Sequence, residues 1–192
     1  RAAGDFANGF IPGSINIGID GNFAMWVGEM IADIKQPILL IADPSKEVEA
    51  LIRLSRVGYD QTIGYLDGGF ESWKKSGKPI ETIKRITAEE LKNQLSTHAM
   101  SVIDVRKKSE FDSEHMVGAV NIPMNELYKR LDEIPKDQPF ILHCAGGYRS
   151  MIAASILKQL GWNNFTDVTG GFSEIKRTQL PVTEYVCPST LL

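Results

Sequence analysis

The sequence predicts an α/β protein in which one unit of about 100 residues occurs twice, each copy a mostly parallel sheet flanked by helices. Three observations carry that expectation. First, Asp5-Phe6 and Ile11-Pro12-Gly13-Ser14-Ile15-Asn16-Ile17 recur 105 positions later as Glu110-Phe111 and Met116-Val117-Gly118-Ala119-Val120-Asn121-Ile122. Val57-Gly58-Tyr59 is answered by Leu160-Gly161-Trp162, and Asp67-Gly68-Gly69-Phe70 by Thr169-Gly170-Gly171-Phe172, at offsets of 102 or 103. Second, apolar β-branched runs in the second copy alternate with segments of helical spacing, the pattern of a parallel sheet with crossover helices. Third, nothing in the first copy answers Ile86 to Val105. Arg1 aligns with Arg106, so the first copy is expected to be truncated at its N-terminus and the chain to be a fragment of a longer protein.

The elements follow in order. In the first copy Ile38 to Ile41 reads as a strand, ending in Ala42-Asp43-Pro44-Ser45-Lys46-Glu47. Ser76 to Arg85 reads as the linker, which gives domains of 1–80 and 81–192. Thr87 to Glu90 is a Thr-x-x-Glu capping box and opens a helix to about Leu95. Met100 to Val105 is a buried strand. Met124 to Ile134 has helical spacing at Leu127, Leu131 and Ile134. Phe140 to His143 is a strand, Arg149 to Leu160 a helix, and Phe165 to Val168 a short strand. The tail from Val182 to Leu192 has no periodicity.

With 43% hydrophobic and 23% charged residues among 192, the composition is that of an ordinary globular chain. A net charge of −3 gives no electrostatic reason to expect nucleic acid or an anionic membrane as partner. No apolar run approaches the roughly 18 residues that span a bilayer. Two cysteines, Cys144 and Cys187, make no disulfide framework, so the cytoplasm is the expected compartment. His98, His115 and His143 show no ligand spacing, and neither metal nor cofactor is expected.

The chemistry concentrates in Cys144-Ala145-Gly146-Gly147-Tyr148-Arg149-Ser150. A thiol reacts as thiolate, so a reactive cysteine needs a setting that favours the anion. Cys144 ends one predicted strand and precedes a predicted helix, the place where α/β sheets put their sites. Backbone N–H groups from about Ala145 to Ser150 can turn inward around the sulfur. Gly146 and Gly147 permit the positive φ angles of a tight cradle. Arg149 adds a fixed cation, the helix's positive end adds a partial charge, and Ser150 suits a bond to the loop backbone or the sulfur. Such a cradle stabilises a thiolate and equally a persulfide anion. A cysteine at a strand end is also a small buried hydrophobe in many proteins; the glycine pair, the arginine and the following helix set this one apart.

Cys144 to Ser150 resembles the active-site loop of the rhodanese family, and Asp104-Val105-Arg106 resembles its Asp-x-Arg strand end. Glu114-His115-Met116-Val117-Gly118-Ala119-Val120-Asn121-Ile122-Pro123 resembles its second hallmark, with Ser113 and Val117 departing from the usual Gly and Pro. Gly170-Gly171-Phe172 resembles the third, with Ile175 where Trp is common. The resemblance implies a sulfurtransferase in which Cys144 takes a sulfane sulfur from a small-molecule donor and passes it to a thiol or cyanide acceptor. It implies that Arg149 and the loop amides hold the persulfide, and that Asp104 and Arg106 brace the site. Tyr148, at the loop's outer edge, would contact the donor's carbon skeleton.

Two other readings stand beside it. His143-Cys144 with Arg149-Ser150 mimics the cysteine phosphatase signature His-Cys-x5-Arg-Ser/Thr, but here four residues separate Cys from Arg, a tight ring for a phosphate or arsenate. A pure interaction module would keep the loop without turnover. In the first copy Ala42 stands where Cys144 does, Asp43 and Glu47 repel anions, and Pro44 lacks an amide hydrogen, so that copy is expected to be catalytically silent. A silent copy followed by an active one resembles bacterial fusions of a metallo-β-lactamase-fold persulfide dioxygenase with two rhodanese-like domains. The dioxygenase part would lie before Arg1.

Overall fold

The computed structural model describes residues 1–187 and divides the chain into two compact units, one spanning Arg1–Thr82 and one running from Ile83 onward. The first unit begins with α1 (Ala3–Asn8) and α2 (Phe23–Met30), followed by β1 (Ile38–Leu40), α3 (Glu47–Ser55), β2 (Thr62–Tyr65) and α4 (Gly69–Lys75). β1 and β2 pair in parallel as a two-stranded sheet. Phe23 and Val27 of α2 pack with Leu54 of α3 and with Tyr59, whose hydroxyl donates to the carbonyl of Ile31 at 2.5 Å. The sheet itself is poorly covered: Leu39 is 68% and Ile63 66% exposed.

The second unit contains β3 (Arg85–Ile86), α5 (Ala88–Thr97), β4 (Ser101–Asp104), α6 (Lys108–Ser113), β5 (Val120–Asn121), β6 (Phe140–His143), α7 (Tyr148–Gln159), β7 (Phe165–Val168) and α8 (Gly171–Ile175). Its five strands form one parallel sheet in the order β3-β7-β6-β4-β5. Phe140, Ile141 and Leu142 of the central β6 are wholly buried, each side chain contributing about 1.5–3 kcal/mol by its removal from water. From one side Leu91 of α5 and Phe172 and Ile175 of α8 pack in a cluster with Ile141 and Val168. α7, buried from Ser150 through Leu157, packs against β6 and β7. A helix buried over so long a stretch has no polar face to turn, so its N-terminus is held in one place. The Thr87 capping box forms, with Glu90 N–H donating to Thr87 Oγ1 and Thr87 N–H to the Glu90 carboxylate.

Two expectations differ from what is found. Met124 to Ile134 is not one α-helix but two 3-10 helices, Met124–Lys129 and Leu131–Glu133. Arg130 between them leaves helical geometry at φ −122°, and its guanidinium binds Glu126, Glu133 and the carbonyl of Asn121. The apolar spacing marked burial of Leu127 and Ile134, which shorter turns satisfy as well. Arg85, assigned to the linker, belongs with Ile86 to an edge strand paired to β7. β5, like β3, has two residues, too few to show a period. Among the described residues no helix is long and apolar enough to cross a membrane, and no group of three or more His, Cys, Asp or Glu is arranged to hold a metal ion.

Candidate active site

The parallel register sets Asp104 beside His143 at the carboxyl ends of β4 and β6, and Cys144 is the next residue. The loop that follows has its two faces sorted by polarity. Phe172 and Ser173, in the first turn of α8, donate their N–H groups to the carbonyls of Cys144 (2.7 Å) and Ala145 (3.0 Å). These are helix-start amides without partners inside their own helix, and the loop supplies the acceptors. Gly171 makes the approach possible: it sits at φ 55°, and a Cβ there would overlap the carbonyl oxygen of Cys144. With those carbonyls engaged on one side, the amide of Gly147 faces the other and donates to Cys144 Sγ at 3.1 Å. Gly147 is the N-cap of α7 at φ 100°, so the sulfur lies by the start of a 12-residue helix. The sulfur is sheltered, Cys144 being 1% exposed, while Gly146 is exposed and Ala145, Tyr148 and Arg149 are half-buried around it.

Three expected roles need correction. Gly146 is not among the positive-φ glycines; Gly147 alone of the pair turns the chain left-handed. Ser150 is fully buried, and its Oγ touches neither sulfur nor loop backbone. It lies beside Asp167, close enough to draw that carboxyl's pKa down without closing a well-formed hydrogen bond. Arg149 is not a free cation: its two terminal nitrogens donate to the two oxygens of Glu110 at 2.5 and 2.9 Å. The guanidinium beside Glu110 holds that carboxyl below its usual range, and Arg149 is correspondingly raised, first by Glu110 and to a lesser degree by the nearby Cys144.

Asp104 and Arg106 form a buried pair. Arg106 donates from its backbone N–H and its Nε to Asp104 at 2.9 and 2.8 Å and from its guanidinium to the carbonyl of Glu114 at 2.9 Å. The same guanidinium lies 3.9 Å from the centre of the Phe172 ring, so it ties β4 to α8. Asn121 caps the carbonyls of Asp104 and Arg106. His143 is wholly buried, with Nδ1 3.2 Å from the Cys144 carbonyl. Burial pushes its pKa down against the opposing pull of Asp104, so it stays neutral behind the loop. His115 stacks on Phe111 at 3.7 Å and hydrogen-bonds that residue's carbonyl.

Glu110, Asp167 and Arg85 are the residues that sequence reasoning missed. Glu110 was visible only as one letter of the repeat. Asp167 carried a signal, an acid inside the otherwise apolar Phe165-Thr166-Asp167-Val168. Asp167 Oδ2 accepts from Arg85 Nε at 2.9 Å, and the Arg85 guanidinium lies against the Cα of Gly147, 3.6 Å from where a Cβ would stand.

The first unit repeats the backbone of this arrangement. A Cβ on Gly69 would come within 2.6 Å of the Ala42 carbonyl, just as Gly171 approaches Cys144. Arg1 donates to the carbonyl of Gly9 at 2.8 Å and lies 4.5 Å from the centre of the Phe70 ring, the counterparts of Glu114 and Phe172. Its ion-pair partner differs, being Asp43 at 3.2 Å.

The second unit is thus a parallel α/β domain whose central strand presents a sheltered cysteine in a backbone cradle at the start of a helix. The family profile of the rhodanese-like domain matches residues 1–76 and 87–178, and the chain belongs to that family. It is 36% identical over 92 residues to the uncharacterized protein YqhL of Bacillus subtilis, covering 48% of this chain and 71% of that one. It is 30% identical over 101 residues to a sulfurtransferase of Allochromatium vinosum, covering 52% and 94%. A rhodanese-related protein of Thermoplasma volcanium superimposes with a TM-score of 0.48 at 32% identity, over 52% of this chain and 97% of that one.

Proposed function

We propose that the second unit is a sulfurtransferase that carries sulfane sulfur as a persulfide on Cys144. The supporting observation is the Gly147 N–H donated to Cys144 Sγ from a loop whose carbonyls are bound elsewhere. Family relatives named sulfurtransferases point the same way. In the first half-reaction the Cys144 thiolate attacks the outer sulfur of a donor. The Sγ–S bond forms, the donor's sulfur–sulfur bond breaks, and the leaving group keeps the electron pair: sulfite from thiosulfate, a thiolate from a low-molecular-weight persulfide. In the second, a thiolate or cyanide takes that sulfur and Cys144 leaves as thiolate. The Gly147 amide and the start of α7 favour the anionic sulfur at each stage. Ala145, Gly146, Tyr148 and Arg149 border the way in, and Asp104 with Arg106 holds β4 against α8.

A phosphatase reading fits less well, because the arginine that would grip a phosphate dianion is already bound to Glu110. In the first unit Ala42 supplies no nucleophile, and we read that unit as catalytically silent. A fusion with a dioxygenase-fold domain stays the wider proposal, and the mass of the native protein tests it.

Intact mass after thiosulfate or glutathione persulfide tests the main reading. Wild type is expected to gain one sulfur that cyanide or a thiol removes, and Cys144→Ser to gain none. No gain with either donor refutes it.

A further inference from the structure

Three guanidinium groups border the cradle of the second unit, and each has its own carboxylate: Arg85 with Asp167, Arg106 with Asp104, Arg149 with Glu110. Asp104 and Asp167 are wholly buried, so the first two pairs are parts of the interior. The third is at the mouth, with the Glu110 side chain 35% and the Arg149 side chain 16% exposed. Glu110 is fixed from two sides. It takes both terminal nitrogens of Arg149, and its Oε2 accepts the Lys107 N–H at 3.1 Å at the start of α6. An anion arriving at Cys144 therefore meets a guanidinium already gripped in two places, together with the negative charge that grips it.

Resting on the reading that Cys144 accepts sulfane sulfur, we propose that Glu110 is a specificity-determining residue. It biases the site against dianionic donors such as thiosulfate and toward singly charged or uncharged donors, alkyl persulfides and thiosulfonates. The bond changes are the same in each case: Sγ–S forms and the donor's sulfur–sulfur bond breaks. What differs is the charge that departs. Thiosulfate leaves as sulfite with two negative charges, whereas a thiosulfonate leaves as sulfinate and a persulfide as thiolate, each with one. The additional charge calls for an unoccupied guanidinium, and Glu110 occupies the one at the mouth. A unit charge a few ångström from the donor, screened nearly as in bulk water, alters selectivity for one further charge by roughly five- to tenfold.

The test compares kcat/KM for thiosulfate and for benzenethiosulfonate in the full chain, wild type beside Glu110→Gln. Glutamine keeps an oxygen that can accept the Lys107 N–H, so the start of α6 is preserved. The thiosulfate-to-thiosulfonate ratio is expected to rise roughly five- to tenfold in the variant. A second measurement needs no variant. Thiosulfate turnover by wild type should hold steady or rise with added salt, because the guanidinium at the mouth already carries its own carboxylate. An unchanged ratio, or a wild-type thiosulfate rate that falls steeply with salt, overturns the proposal. Intact mass after benzenethiosulfonate separates the two possible failures. Sulfur gained on Cys144 in both proteins with an unchanged ratio removes the role of Glu110 alone; no gain in either removes the sulfurtransferase reading and this one with it.

Discussion

Replacing Gly171 by alanine tests whether α8 shapes the cysteine loop. The new methyl would overlap the Cys144 carbonyl and press on that of Ala145, both of which are backbone and cannot swing aside. Two costs follow. A residue with a Cβ held at φ 55° is strained by about 1–2 kcal/mol. Relieving the overlap pulls α8 from the loop and weakens the Phe172 and Ser173 hydrogen bonds, at about 1 kcal/mol each. The sum is about 3–4 kcal/mol. At roughly 4–8 °C per kcal/mol for a unit of this size, the calorimetric transition of the second unit should fall by more than about 10 °C. Persulfide loading on Cys144 should slow as well, because the Gly147 amide loses its alignment when the opposite face of the loop is released. Gly146→Ala is the internal control: a Cβ there meets nothing within 4 Å and the residue needs no positive φ. That variant should lie within about 0.5 kcal/mol of wild type. Equal melting of Gly171→Ala and Gly146→Ala, with equal loading rates, would refute the polarity-sorted loop.

Two further outcomes follow from buried charges. Burial pushes the Asp167 carboxyl from 3.8 up to about 6, against the opposing effects of Ser150 and Arg85, so the folded chain holds this proton more tightly than the unfolded chain does. Stability should therefore decline as pH rises from about 4 to about 6, by on the order of 3 kcal/mol from this group, and Asp167→Asn should abolish that component. Urea midpoints for both proteins across pH 4.5 to 7.5 read it directly, and parallel curves would contradict it. Arg106→Ala strands Asp104 in the interior and should destabilise the second unit by about 3–5 kcal/mol, visible as a lowered melting temperature. A loss under about 1 kcal/mol would mean that Asp104 finds another partner or is neutral.

The repeat made much of this fold legible from sequence. Phe140 to His143 and Phe165 to Val168 lie where their β-branched and aromatic residues placed them; the central Phe140-Ile141-Leu142 shows as an unbroken apolar run, and Phe165 to Val168 is marked by its aromatic and β-branched residues despite Asp167. The Thr87 capping box located the start of α5 for the same local reason. What escaped notice depends on distant partners. Nothing around Arg149 says that its charge is taken by a residue 39 positions earlier, and nothing around Ser150 says that it turns inward to Asp167. Arg85 read as linker because a two-residue strand exists only through its neighbour β7. The Met124 to Ile134 segment shows the limit of periodicity, which reports which side chains go inward and not which helix carries them.

One correspondence between the units bears on how such a cradle originates. Gly147 is the third residue after Cys144, and Ser45 the third after Ala42; both are left-handed, at φ 100° and 69°. Ser45 is the sole non-glycine with positive φ among the described residues, in a conformation that disfavours a side chain. The pivot is thus kept where there is no thiol to receive an amide. The bend belongs to the chassis of the repeat and the sulfur chemistry is a fitting mounted on it, so loss or gain of a nucleophile in such a unit can proceed by side-chain exchange on a standing backbone.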